Sequence, residues 1–146
     1  MPSVSKSSLK PAKIAQSKIE TMFQPFEVQG VQYRNRILAP PTVDDQADTN
    51  GKVTPAIIKH YRSLARQGVG TIIVESAYVT KQGRSHINQL GISEEEHLEG
   101  LEKLAQGVKK EGTTIGIRLS HAGAQTSESA CGEPVSYTHL TLPTKA

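Results

Sequence analysis

The chain has 146 residues, 36% of them hydrophobic and 21% charged, with a formal net charge of +3. That is enough for one modest globular domain and excludes fibrous and disordered classes. It contains no run of about 18 or more apolar residues, and its amino terminus lacks the apolar centre of a secretory signal, so no spanning helix and a cytoplasmic location are expected. Its single cysteine, Cys131, excludes an internal disulfide; with no second Cys or spaced His pair around it, no metal site is expected and the thiol reads as reduced.

The positive charge is partly local. Residues 1–20 carry Lys6, Lys10, Lys13 and Lys18 and read as a flexible basic leader, a composition more typical of a solvated tail than of a binding arm. No nucleic-acid-binding signature follows it, so neither nucleic acid nor a membrane is expected as a partner. Next, Phe26 and Val28 precede Gly30, and Val31 and Tyr33 follow it. This alternation about a glycine predicts a small hairpin leading into a strand, NRILAPPT, that stops at Thr42.

The segment DDQADTNGKVTP is a loop by composition, with a turn signal at Asn50-Gly51. Thr54 and Pro55 are the N-cap and first residue of a helix whose apolar face is Ile57, Ile58, Tyr61, Leu64 and Ala65, ending at Gly68. A second strand, Gly70 to Ala77, is almost continuously apolar or β-branched, as a parallel strand covered on both faces should be. After a loop through Lys81-Gln82-Gly83-Arg84, Ser93 with Glu96 gives a capping-box signal for a helix with Leu98, Leu101, Leu104, Ala105 and Val108 on one face. Gly112 supplies its stop. In the third strand, Ile115, Ile117 and Leu119 alternate with Gly116, Arg118 and Ser120. Helices should cover the first set; on the other face Arg118 is expected to be a buried charge in need of an anion or a carboxylate.

The order is therefore β, α, β, α, β, and successive βα units build a parallel sheet whose ligands bind at the carboxyl ends of the strands. Three such ends, at Thr42, Ala77 and Gly123, point the same way.

Taken together, the hairpin, NRI followed by PP, the NGKVT turn, HYRSLARQGVGTIIVESAYV, GR, NQLGI, the capped helix with EG, and IGIRLSHAG resemble the Old Yellow Enzyme family. The likeness runs from about Phe23 to about Gly132. It implies that residues 21–134 are the N-terminal portion, about three βα units, of a (β/α)8 TIM barrel. It also implies FMN as cofactor, NAD(P)H as hydride donor, and hydride transfer through the flavin to a small-molecule acceptor such as an activated alkene. In this family the loop after the first strand wraps the flavin, which assigns Pro40, Pro41, Thr42 and Val43 to its edge; Val43 departs from the Thr or Cys that relatives often place there. Ser76 matches a small residue against the pyrimidine end of the flavin. Arg118 stands where Gln is usual, and it would stabilise the anionic reduced flavin near its pyrimidine carbonyl, since Arg only donates and carries a fixed charge.

Other readings stand beside these. Pro40-Pro41 would end a strand in any fold, Arg118 could pair with Glu75, and His121, in the family's HAG turn but followed by Ala124 instead of Arg, reads as structural. His60, His86 and His97 read as solvated. The substrate-holding His pair or His/Asn, the proton-donating Tyr and the phosphate loops of relatives lie later in the chain, so no catalytic residue is expected in this one.

A closed barrel needs about 250 residues. The chain is thus expected to be an inactive fragment of an enzyme that is itself homo-oligomeric, or else a non-catalytic module that binds through its exposed sheet or basic leader. Residues 135–146 are expected to be a non-native tail, because Val135 through Thr144 follow in order the translation of a sequencing-library transposase adaptor.

Overall fold

A computed structural model of the protein describes residues 19–132. Most of the basic leader and the whole of the tail read as adaptor-derived lie outside the described residues. Gln29 and Gly30 both take positive φ, 50° and 79°, the combination that a two-residue hairpin turn demands. They join β1 (Phe26–Val28) to an antiparallel β2 (Val31–Tyr33). Across the hairpin the rings of Phe26 and Tyr33 stack, their centroids 4.8 Å apart.

The parallel sheet has the strand order β3 (Leu38–Ala39), β4 (Thr71–Tyr78), β5 (Thr114–Ser120). Its crossovers are α1 (Pro55–Arg66) and α2 (Leu98–Lys109), so the βαβαβ order read from the sequence is the observed one. Thr54 is the N-cap of α1: its Oγ1 accepts from Ile57 N at 3.4 Å and donates to Gln46 O at 2.8 Å. Ile57, Tyr61 and Ala65 of α1 and Leu104 and Val108 of α2 bury themselves against Ile72 and Val74 of β4. Burying a large side chain among these contributes roughly 1.5–3 kcal/mol, and with Ala47, Ala77 and Leu90 these residues form the contiguous core.

Three expectations are corrected. The cap before α2 begins at Glu94, not Ser93: the Glu94 side chain accepts from the His97 backbone, and His97 Nδ1 accepts from Glu94 N at 3.1 Å. Leu98 is exposed, so the buried stripe of α2 starts later than the spacing suggested. Leu119 is also exposed, because α2 covers Ile115 and Ile117 but does not reach the end of β5.

The hairpin packs at the amino-terminal end of the sheet through Arg34. Its guanidinium donates to Val69 O (3.0 Å from Nε), Glu111 O (2.9 Å) and Ala65 O. Next to it, Asn35 Nδ2 donates to Gly68 O at 2.7 Å. Helix α1 meets the turn before β5 through Glu111, whose Oε1 accepts from Arg62 at 2.9 Å and from Arg66 at 3.0 Å.

The Arg62 hydrogen bond, helped by Arg66, holds the Glu111 carboxyl below the usual carboxylate range. A folded value below the unfolded one gives stability that is present above the unfolded value and lost as pH falls through the folded one. The wild-type chain should therefore lose stability faster on acidification than Glu111→Gln, with the two converging at low pH. Parallel stability curves in an acid titration followed by denaturant unfolding would rule out this account.

Candidate functional site

All three strands end on the same side of the sheet, opposite the hairpin. From β3 the chain passes through Pro40, Pro41, Thr42 and Val43, of which all but Pro41 are exposed. On β4 a bulge between Val74 and Ser76 shifts the register, so that Ser76 rather than Glu75 pairs with Arg118 of β5. Arg118 Nε donates to Ser76 Oγ. Ser76 is buried, whereas Arg118 is exposed, which corrects the expectation of a buried charge: the face of β5 that carries Arg118 has nothing over it among the described residues. The Arg118–Glu75 pairing is not formed either, since the Glu75 carboxyl accepts from Asp44 N instead.

Two buried residues of the segment after β4, Gln89 and Arg84, carry no role in the sequence reading. Gln89, buried within the NQLGI motif, donates from Nε2 to Ser76 O and Ser120 Oγ, both at 3.0 Å, and accepts at Oε1 from Ser85 N at 2.7 Å. It ties the ends of β4 and β5 together behind Ser76. Arg84, also buried, donates to Thr49 O (2.9 Å), His86 O (3.1 Å) and Ile87 O, and lies 5.3 Å from the centroid of the Tyr78 ring. The buried positions follow polar neighbours in sequence, so no periodic apolar signal marked either of them.

The histidines divide. His121 is exposed and packs over Gly83, where a Cβ would lie 2.4 Å from its ring, and its Nδ1 accepts from Gly123 N at 3.0 Å. The ring thus has backbone contacts on both sides. His97 is buried, not solvated, and its Nε2 donates to Asn50 O at 2.9 Å. His86 is 3.0 Å from Asp45 Oδ1, and His60 is 3.9 Å from Asp44 Oδ2. Cys131 is buried and forms no disulfide among the described residues.

Arg118 keeps its two Nη groups without a protein acceptor among the described residues. Gly116, two residues earlier on the same face, leaves the recess below to Ile73, whose Cδ1 a Cβ would meet at 3.2 Å.

A three-stranded parallel sheet with crossover helices is the arrangement found in a sector of a (β/α)8 barrel. The sequence pattern of the NADH:flavin oxidoreductase / NADH oxidase family matches residues 21–138, and the chain belongs to that family. It is 42% identical over 103 residues to an NADPH dehydrogenase of Bacillus subtilis, an alignment covering 70% of this chain and 30% of that protein. Among solved structures, it superposes on a 2-naphthoyl-CoA reductase complex with a TM-score of 0.73 at 30% identity, covering 78% of this chain and 17% of the other. It superposes on the Old Yellow Enzyme homologue from Zymomonas mobilis with a TM-score of 0.71 at 23% identity, over 79% of this chain and 32% of that one; this likeness bears on the fold alone. The chain thus spans about 30% of the length of the curated relative and corresponds to the N-terminal part of its barrel. Among the described residues no helix is long and apolar enough to cross a membrane.

Proposed function

We propose that this chain is the flavin-edge sector of an FMN-dependent NAD(P)H oxidoreductase whose acceptor is a small electron-poor molecule such as an activated alkene, and that the 146-residue chain does not turn over by itself. The observation that carries the reading is the hydrogen bond of Arg118 Nε to Ser76 Oγ near the carboxyl ends of β4 and β5. Bound FMN supplies the hydride chemistry; the protein binds and orients it.

In this reading the Nη groups of Arg118 donate to the polar edge of the ring and neutralise negative charge there. Ser76 Oγ fixes the guanidinium by accepting from Nε, and Gln89 fixes Ser76 in turn. Pro40, Pro41, Thr42 and Val43 border the ring with backbone groups, and Val43 contributes only apolar contact, having no side-chain donor. The proposal includes a cytoplasmic setting and a homo-oligomeric whole enzyme, with neither nucleic acid nor membrane as partner.

The test is FMN titration of the purified full chain, followed by quenching of flavin fluorescence. Saturable binding is expected, and Arg118→Ala should weaken it by roughly 10- to 100-fold, the equivalent of one hydrogen bond to a charged group. An Arg118→Ala chain that binds FMN as well as the wild type removes Arg118 from the site, and a wild-type chain that binds none removes the reading.

A further inference from the structure

The bulge that turns Ser76 toward Arg118 also takes Glu75 out of the strand ladder. Glu75 N donates to Tyr61 Oη at 2.9 Å, and Glu75 Oε2 accepts from Asp44 N at 3.2 Å. Glu75 is only 1% exposed. Its second oxygen, Oε1, is buried with no hydrogen-bond partner, and Asp44 Oδ2 is in the same position. Two buried carboxylate oxygens without a hydrogen-bond donor, on residues joined by the Asp44 N to Glu75 Oε2 hydrogen bond, with only His60 Nε2 3.9 Å from Asp44 Oδ2, are an unfavourable arrangement when both groups are ionised. One proton would serve both.

We propose that Glu75 is protonated, that its O–H is given to Asp44 Oδ2, and that this shared proton clasps the loop after β3 onto the bulge of β4. The carboxyl then donates to Asp44 through one oxygen and accepts the Asp44 N–H through the other, a two-point hold directly after Pro40–Val43. Ionising Glu75 removes the donor, leaves like charges facing one another, and loosens the loop.

The groups around the clasp fit a proton rather than a cation. Asp44 and Asp45 come from the loop itself, and α1 contributes Tyr61 and His60, the latter 3.9 Å from Asp44 Oδ2. The loop after β4 contributes His86, which is engaged with Asp45. On β5 the guanidinium of Arg118 is turned to Ser76. No Lys or Arg bonds the Glu75 carboxyl among the described residues. Burial pushes the Glu75 carboxyl above its ordinary range and the charges of Asp44 and Asp45 add to this, against the opposing effect of the Asp44 and Asp45 backbone N–H groups.

The clasp stands without flavin; only its consequence, a flavin-edge loop that loosens as pH rises, rests on the proposed function. The test is therefore made without flavin, so that either can fail alone. Amide resonances of the 15N-labelled full chain would be followed from about pH 4 to about pH 9, a span that brackets ordinary carboxyl and imidazole titration. The Asp44 amide should shift with a midpoint above the ordinary glutamate range. In Glu75→Gln, whose carboxamide can donate and accept as the protonated acid does, that transition should vanish and the amide should keep its acid-side position. In Asp44→Asn the transition, read at the Asp45 amide, should move down toward the ordinary glutamate range. An Asp44 amide that titrates at the ordinary glutamate value, or does not move, overturns the proposal. So does a transition that survives in Glu75→Gln, because it would then belong to His60 or His86.

Discussion

Replacing Arg34 by alanine is expected to lower the unfolding free energy by about 3 kcal/mol, the upper part of the range for hydrogen bonds made by a charged donor. The guanidinium closes three gaps at once. Ala65 O is among the last carbonyls of α1 and otherwise accepts from Gly68 N at 3.1 Å; Val69 O precedes β4 and otherwise accepts from Thr113 Oγ1 at 2.9 Å; and Glu111 O precedes β5. One planar fork therefore sets the amino-terminal end of the sheet and the carboxyl end of α1 with respect to the hairpin. Truncation takes one donor from each of these carbonyls, leaving Ala65 O to Gly68 N and Val69 O to Thr113 Oγ1, and removes a positive charge from the negative end of α1. Arg34→Lys should recover only part of the loss, since a single ammonium cannot reproduce the fork. Denaturant unfolding of the full chain measures both variants. A loss below about 1 kcal/mol for Arg34→Ala, the value of one ordinary hydrogen bond, would mean that the hairpin is held by something else.

How far the fold could be read from the sequence follows from how local each determinant is. Helix α1 was legible because its cap, Thr54, directly precedes the twelve residues Pro55–Arg66 that hold its first-turn proline and its apolar stripe. Strand β4 was legible because a run of β-branched residues has few alternatives. The Arg34 latch was not, since its Glu111 partner is 77 residues away and Arg36, nearby, is the same residue type on an exposed position. His97 was misread because it ends a run of glutamates that looks solvated; the signal that could have found it is the Glu94–His97 spacing, one residue on from the Ser93–Glu96 pair that attracted attention.

For the site, the positions of Ser76 and Arg118 followed from where the strands end, and the structure brings those two side chains together. What could not be read was Glu75. Whether a strand residue points into the ladder or out of it depends on the register of the neighbouring strand, and a bulge reverses the parity of everything after it. A strict alternation through VESAY would have put Ser76 on the face of Val74, whereas the shift pairs it with Arg118. The exposure of Arg118 has a similar origin: burial of a side chain on an inward face is decided by the strands that stand opposite it, not by its own sequence neighbours.

The second large effect is expected at Gly51, where alanine should cost roughly 3 kcal/mol, combining about 1–2 kcal/mol for a side chain in the left-handed region with 1–3 kcal/mol for overpacking. Gly51 has φ +80°, and a Cβ there would lie 2.3 Å from Tyr78 Oη and 2.9 Å from the ring carbons Cε1 and Cζ. The ring cannot retreat. On its other side a Cβ at Gly91 would meet Tyr78 Cζ at 2.7 Å and His97 Cε1 at 2.5 Å, and the backbones of the two glycines are joined by Gly91 N donating to Gly51 O at 2.8 Å. Asn50 O, next in the chain, accepts from both Tyr78 Oη (3.1 Å) and His97 Nε2 (2.9 Å). Moving Tyr78 thus breaks the tie between the loop after β3 and the start of α2. Gly30 provides the control: it has nearly the same φ, +79°, but nothing lies within 4 Å of a Cβ built on it, so Gly30→Ala should show the backbone cost alone, about 1–2 kcal/mol. Denaturant unfolding of the two alanine variants separates strain from packing. If they lose equal stability, the close approach to Tyr78 is not what makes Gly51 necessary; if Gly51→Ala loses the larger amount, the knot of Tyr78, His97 and Asn50 is what fixes the carboxyl end of β4 beside Ser76.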